Sequence, residues 1–137
     1  MKYLKKYMFL FAIIILNGCE DPNGPGNCPN SVSVTVQITD PPVFSWNPPC
    51  EADGIIVYHH VISTSGMEVK SPVWSINTTE TPISSPVTYG ISPPGITLIV
   101  APLDLIEGEL YSINVIRNLD GIATFDFIGG MEFVYNP

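Results

Sequence analysis

Positive charge is the scarcest feature of this sequence. Only 5 of its 137 residues are Lys or Arg, against 13 Asp and Glu. Three of the five, Lys2, Lys5 and Lys6, stand at the very start. From residue 19 onward only Lys70 and Arg117 face all thirteen acids, a formal charge of −11. A chain of that charge repels nucleic acid and anionic lipid surfaces. It has no basic patch and no phosphate-cradling Gly loop. Histidine is nearly absent too, with only the adjacent His59 and His60. Neighbours on a strand point to opposite faces, so the two cannot chelate one ion together. Ser, His and Asp all occur, but no nucleophile elbow or comparable local signature accompanies them. No long helical period is present. The longest apolar run, Met8 to Leu16, is shorter than the roughly 20 residues of a membrane-spanning helix.

That short run has a meaning of its own. A basic stretch, Met1 to Tyr7, followed by a short apolar core reads as a secretory signal. It ends in Leu16-Asn17-Gly18-Cys19, which resembles a bacterial lipobox. The resemblance implies cleavage before Cys19 and acylation of that cysteine, palmitate being one such chain. Each buried methylene would contribute about 0.8 kcal/mol to membrane binding. Glu20 to Asn27 is rich in Pro and Gly and has nothing apolar to bury, so it reads as a flexible tether. Glu20-Asp21, just after the cysteine, resembles the acidic signals that send some bacterial lipoproteins to the cell surface. The organisation expected is a signal peptide over 1–18, a lipidated Cys19 and tether over 19–27, and one domain over 28–137. Removing 18 of 137 residues leaves 119, enough for a core that needs neither metal nor cofactor.

Proline is abundant, at 14 residues, and short β-rich runs bounded by Pro, Gly, Asn and Asp fill the rest. The pattern predicts an all-β sandwich or barrel. With 45% hydrophobic residues and 13% charged, disorder is not expected. Val32, Val34, Val36 and Ile38 alternate with polar residues and predict strand A over Ser31–Thr39. Asp40-Pro41-Pro42 breaks it. Val43–Asn47 is strand B, with Phe44 and Trp46 on one face. Gly54–Ile62 is strand C, apolar on both sides, which suits either a covered strand or a partner surface. Pro72–Asn77 is a short strand C′, and Thr78–Pro86 an edge or loop. Ile96–Ala101 is expected as a buried strand E. Leu105 to Gly121 contains strand F, where Tyr111, Ile113 and Val115 alternate with Ser112 and Asn114. Asp120-Gly121 signals a hairpin turn, and strand G starts at Ile122. Gly129-Gly130 inside G suggests a bulge or bend.

Two local patterns resemble the fibronectin type III family. Leu105 stands six residues before Tyr111, as in the family's tyrosine corner, whose hydroxyl bonds back to nearby backbone. Glu107 occupies a position often held there by Pro. Trp46-Asn47-Pro48-Pro49 resembles the family's core Trp and following Pro on strand B. Residues 42 to 128 also resemble small bacterial lipoproteins of immunoglobulin-like or fibronectin-like type. The resemblance implies a seven-stranded antiparallel immunoglobulin/fibronectin type III-like sandwich.

With Cys19 lipidated, Cys28 and Cys50 remain in an oxidising compartment. Residue 39, at the A–B turn, is midway between them, so a hairpin brings them face to face at its open end. A disulfide is expected there. A metal pair or free thiols are the alternatives, and no further ligands stand at zinc-like spacing.

The functional expectation is non-enzymatic: a lipid-anchored protein of the bacterial envelope, at the outer membrane on its surface or periplasmic face. Its role would be protein interaction, adhesion or structure, by analogy with the fold. The alternative is a carbohydrate- or small-ligand-binding module with Tyr58, Trp74 and Tyr89 as stacking platforms. A hydrolase would need a cleft bringing His59 or His60 to a Ser or carboxylate. An edge-docking protein would need an unpaired apolar strand near Val73–Ile76 or Met131–Tyr135. Asp104, Glu107 and Glu109 lack the spacing of a calcium loop and read as a solvated loop. No cofactor, catalytic residue or metal ligand is assigned. The partners expected are the membrane, through the lipid, and a protein or glycan, without nucleic acid.

Overall fold

Alternating apolar and polar residues, broken at short intervals by Pro and Gly, leave the backbone little choice but paired strands. The computed structural model describes residues 28–118 and 125–137. The expected signal peptide, lipidated Cys19, tether and Asp120-Gly121 turn lie outside the described residues. Within them there is no helix, and ten β segments form. These are β1 (Ser33–Gln37), β2 (Val43–Asn47), β3 (Glu51–Ala52), β4 (Gly54–Ile62), β5 (Glu68–Asn77), β6 (Ile83–Ser84), β7 (Val87–Thr88), β8 (Thr97–Val100), β9 (Leu110–Asn118) and β10 (Phe125–Val134). They make a three-stranded sheet β1-β2-β7, a five-stranded sheet β10-β9-β4-β5-β8 and a small β3-β6 ladder. Every pairing is antiparallel.

The two larger sheets share one apolar core. Val34, Phe44, Trp46 and Val87 enter it from the first sheet. Ile55, Val57, Trp74, Ile76, Tyr111, Ile113, Val115 and Phe133 enter it from the second. A chain of rings joins them. Phe44 lies 6.5 Å from Trp74 and 5.8 Å from Phe133, Trp74 lies 5.2 Å from Tyr89, and Tyr111 lies 5.8 Å from Phe133. Aromatic contacts of this kind add stability beyond the area they bury. Tyr111 also accepts the Ile106 amide at 2.9 Å through its hydroxyl, the local backbone bond that its spacing from Leu105 suggested.

Strands A, B and C were legible almost to the residue: β2 and β4 have the expected bounds, and β1 is the centre of Ser31–Thr39. Three expectations need correction. Seven strands were expected, whereas the described residues form ten segments, three of them only two residues long. Ile96–Ala101 was expected as a buried strand E. Its β8 instead forms the outer edge of the five-stranded sheet, with Leu98 46% and Ile99 60% exposed. The segment that pairs with β2 is β7. Between β7 and β8 the chain turns at Pro93–Ile96, where Gly95 has φ +82° and the Ile96 amide reaches the Pro93 carbonyl at 3.2 Å. Finally, C′ was expected as the short run Pro72–Asn77, but β5 begins at Glu68. Pro72 is tolerated because β8 pairs only with Ser75, Ile76 and Asn77, so β5 is an edge at Pro72 and needs no donor on that side.

The Gly pair marks an irregularity, as expected: the β9–β10 register shifts between Phe127 and Gly129. There the first strand comes close, with the Val32 amide bonded to the Ile128 carbonyl at 2.7 Å. A Cβ on Gly129 would stand 2.6 Å from the Val32 carbonyl oxygen, so only glycine fits.

Candidate functional site

The N-terminal end of the domain is tied down twice. Cys28 and Cys50 form a disulfide with Cα atoms 5.0 Å apart. Beside it, Trp46 donates Nε1–H to the Cys50 carbonyl at 2.9 Å. From β9, the buried Arg117 donates to the Cys28 carbonyl at 3.1 Å, to Asn30 Oδ1 at 3.0 Å and to Asp126 Oδ2 at 3.1 Å. Asp53, also buried, accepts the Asn118 amide at 2.8 Å. Burial raises its pKa, while that bond and the Arg117 charge pull it back. Nothing local in the sequence announced Arg117, because its partners lie up to 89 positions away.

Of the three expected stacking residues, two are corrections. Trp74 is fully buried and Tyr89 only 7% exposed. Both are packed into the aromatic core, where no sugar ring can reach. Apolar neighbours on strands made them as fit for the core as for a surface. Tyr58 is half-buried and points outward, along with the other even-numbered residues of β4.

Tyr58 belongs to an apolar groove on the outer face of the five-stranded sheet. Ile56, Ile99, Ile116, Phe125 and Phe127 line it with Tyr58, enclosing about 260 Å³. Phe125 and Phe127 are 52% and 58% exposed. One face of this sheet thus packs the core, and the other displays aromatic rings to solvent. Of the two edges considered for docking, Val73–Ile76 is internal, with β4 on one side and β8 and the Leu103 amide on the other. Met131–Val134 does lie on an outermost strand, β10.

Further along the same face is a polar seam. His60 Nε2 lies 2.8 Å from Ser112 Oγ, and both residues are buried. His60 Nδ1 lies 2.6 Å from Glu68 Oε1. Lys70 stands opposite His60 in the β4–β5 register, and Glu132 opposite Ser112 in the β9–β10 register. Their ion pair, at 3.7 Å, therefore crosses the two intervening strands. On the inner side, His59 stacks on Tyr111 at 4.7 Å and meets Glu109 at 3.3 Å.

A Ser, a His and a carboxylate in a row resemble a nucleophile with its base. The geometry does not support that chemistry. The Ser112 residue is only 4% exposed, lines none of the described clefts, and sits mid-strand with β4 and β10 on either side. A nucleophile needs access to its substrate, and Ser112 is buried. The seam is a cross-strand tie.

A second cleft, of about 390 Å³, opens at one end of the molecule between Asp40 and Asp104. Pro42, Tyr89, Leu103 and Tyr135 form part of its wall. Among the described residues no group of three His, Cys, Asp or Glu converges as a metal site. Searched against protein-family models, curated proteins and solved structures, the chain finds no significant match, so its own geometry carries the functional reading.

Proposed function

We propose that this chain is a lipid-anchored, non-enzymatic interaction module of the bacterial envelope. In this reading Cys19 carries the lipid, and residues 28–137 form an immunoglobulin/fibronectin type III-like sandwich. The observation that carries the reading is the Cys28–Cys50 disulfide, nine residues beyond the lipobox-like cysteine. Disulfides persist outside the reducing cytoplasm, where a secretory signal and a lipidated cysteine would take the chain. The interaction role is supported by the outer sheet face, since exposed aromatic patches on small domains mark protein contacts. Burial of Trp74 and Tyr89 removes two of the three supports of the carbohydrate reading.

The test is protease shaving of intact cells, comparing the native chain with Cys19→Ala. The native chain is expected in the membrane fraction and Cys19→Ala in the soluble fraction. Loss of the native chain on shaving assigns it to the cell surface, and protection assigns it to the periplasmic face. Equal membrane retention of both would defeat the lipid-anchor reading.

A further inference from the structure

We propose that the Cys28–Cys50 bridge is a reversible thiol–disulfide exchange site, opened by an external thiolate that attacks the Cys50 sulfur from the cleft beside it. The two cysteines are unequally placed. Cys28 is fully buried, whereas Cys50 is only partly buried and lines an open cleft of about 190 Å³ with Pro49, Glu51, Ser84 and Ser85. Exchange needs access to the sulfur under attack, and only Cys50 borders such a space. The cleft is held in shape by the pairing of Glu51 with Ser84 and by the Trp46 amide, which donates to Ser85 Oγ at 3.1 Å. In the step, the thiolate bonds to Cys50 Sγ as the Cys28–Cys50 bond breaks. The electron pair of that bond leaves on Cys28 as a thiolate, which takes a proton from water. A second thiolate then attacks the mixed disulfide, releasing Cys50 and an external disulfide. Arg117, bonded to the Cys28 carbonyl at 3.1 Å, puts a positive charge beside the leaving sulfur, and that favours a departing thiolate.

Neither cysteine depends on the bridge for its place. Arg117 holds the Cys28 carbonyl, Trp46 Nε1 holds the Cys50 carbonyl at 2.9 Å, and β3 begins at the residue after Cys50. After reduction the two thiols therefore stay near each other, and an external disulfide recloses the bridge with its second step intramolecular. Charge selects the thiol. Glu51 stands in the cleft wall of a chain with a formal charge of −11 from residue 19 onward. A thiolate with a further negative charge is repelled there, and one that also bears an ammonium is favoured. The site goes beyond the envelope reading and depends on neither the lipid anchor nor the outer sheet face.

The experiment uses the full chain in detergent micelles with Cys19→Ala, so that Cys28 and Cys50 are its only cysteines. The oxidised chain is treated with cysteamine or with glutathione, quenched in acid and cut at Asp40, which separates the two cysteines for mass spectrometry. The cysteamine adduct is expected on Cys50 in about tenfold or greater excess over Cys28. Cys28→Ser and Cys50→Ser, each leaving one thiol to react with cystamine, should show the same preference without competition from reclosure. Per thiolate, cysteamine should open the bridge several-fold faster than glutathione, with the gap narrowing at about 1 M salt and in Glu51→Gln. The reduced chain should keep the amide spectrum of β1 and β2 and regain the bridge in cystamine without denaturant. Equal or greater labelling of Cys28, opening only in denaturant, or loss of the β1–β2 amide spectrum on reduction would overturn the proposal. Equal rates for the two thiols would overturn the charge selection.

Discussion

Tyr89 shows how one side chain can serve structure while resembling a binding residue. Its ring is in the core, and its hydroxyl donates to the Leu103 carbonyl at 2.7 Å, with the Val73 carbonyl 3.2 Å away. Tyr89→Phe leaves those carbonyls without this donor and is expected to destabilise the fold by about 1 kcal/mol in urea unfolding. It should also remove one phenol from the late part of an alkaline absorbance titration, since Tyr89 ionises only at about 12. Asp53 makes a second prediction at this scale. Its folded pKa lies above the ordinary 3.8 because burial disfavours the carboxylate. The folded state therefore holds that proton more tightly than the unfolded chain. The resulting stability is fully present below pH 3.8 and is lost as pH rises through the folded pKa. Asp53→Asn should flatten that fall, as measured by urea unfolding from about pH 3 to pH 6. Neither role was legible in the sequence. Tyr89 lies in a Thr-Tyr-Gly run that reads equally well as surface or core. Asp53 gains its meaning from Asn118, 65 positions away.

At the scale of elements, legibility follows length and punctuation. β2 and β4 alternate or persist between clear breakers, so their bounds could be read from the residues. β3, β6 and β7 have two residues each, too few to show any period. β8 was found but misplaced, because Thr97–Val100 is apolar enough for a core and the turn at Pro93–Ile96 takes it to the sheet edge. The His60–Ser112 tie was equally hidden. It depends on the register of β4 against β9, across 52 positions. The Cys28–Cys50 bridge was legible because a hairpin fixes register by itself. Its contribution can be measured: replacing both cysteines with serine should lower stability by roughly 3 kcal/mol in the chain-entropy account. The β1–β2 register from Ser33–Asn47 to Gln37–Val43 should survive, since backbone bonds set it. Equilibrium unfolding and amide exchange of the two forms would measure both effects.

The molecule as a whole has unlike regions: the apolar outer sheet face, the acidic end cleft and the doubly tied N-terminal end. The first predicts a separation of stability from function. Phe125→Ser with Phe127→Ser alters rings more than half exposed, so stability should change by only about 0.5 kcal/mol per site. Crosslinking of the native chain to envelope proteins should fall sharply in that variant. An unchanged crosslinking pattern would place the contact elsewhere. The tied N-terminal end has a consequence of another kind, that of a load path. Under the proposed lipid tether, load would enter the domain at Cys28, the first described residue. Without a crosslink, tension there would peel β1 from β2 one hydrogen bond at a time, as a zip opens. With the crosslink, force entering at Cys28 passes covalently to Cys50 and bypasses the whole β1–β2 hairpin, while Arg117 shares it with β9. Under the proposed role, drag on the domain would then bypass that hairpin, so a grip on a partner need not unravel the protein that holds it.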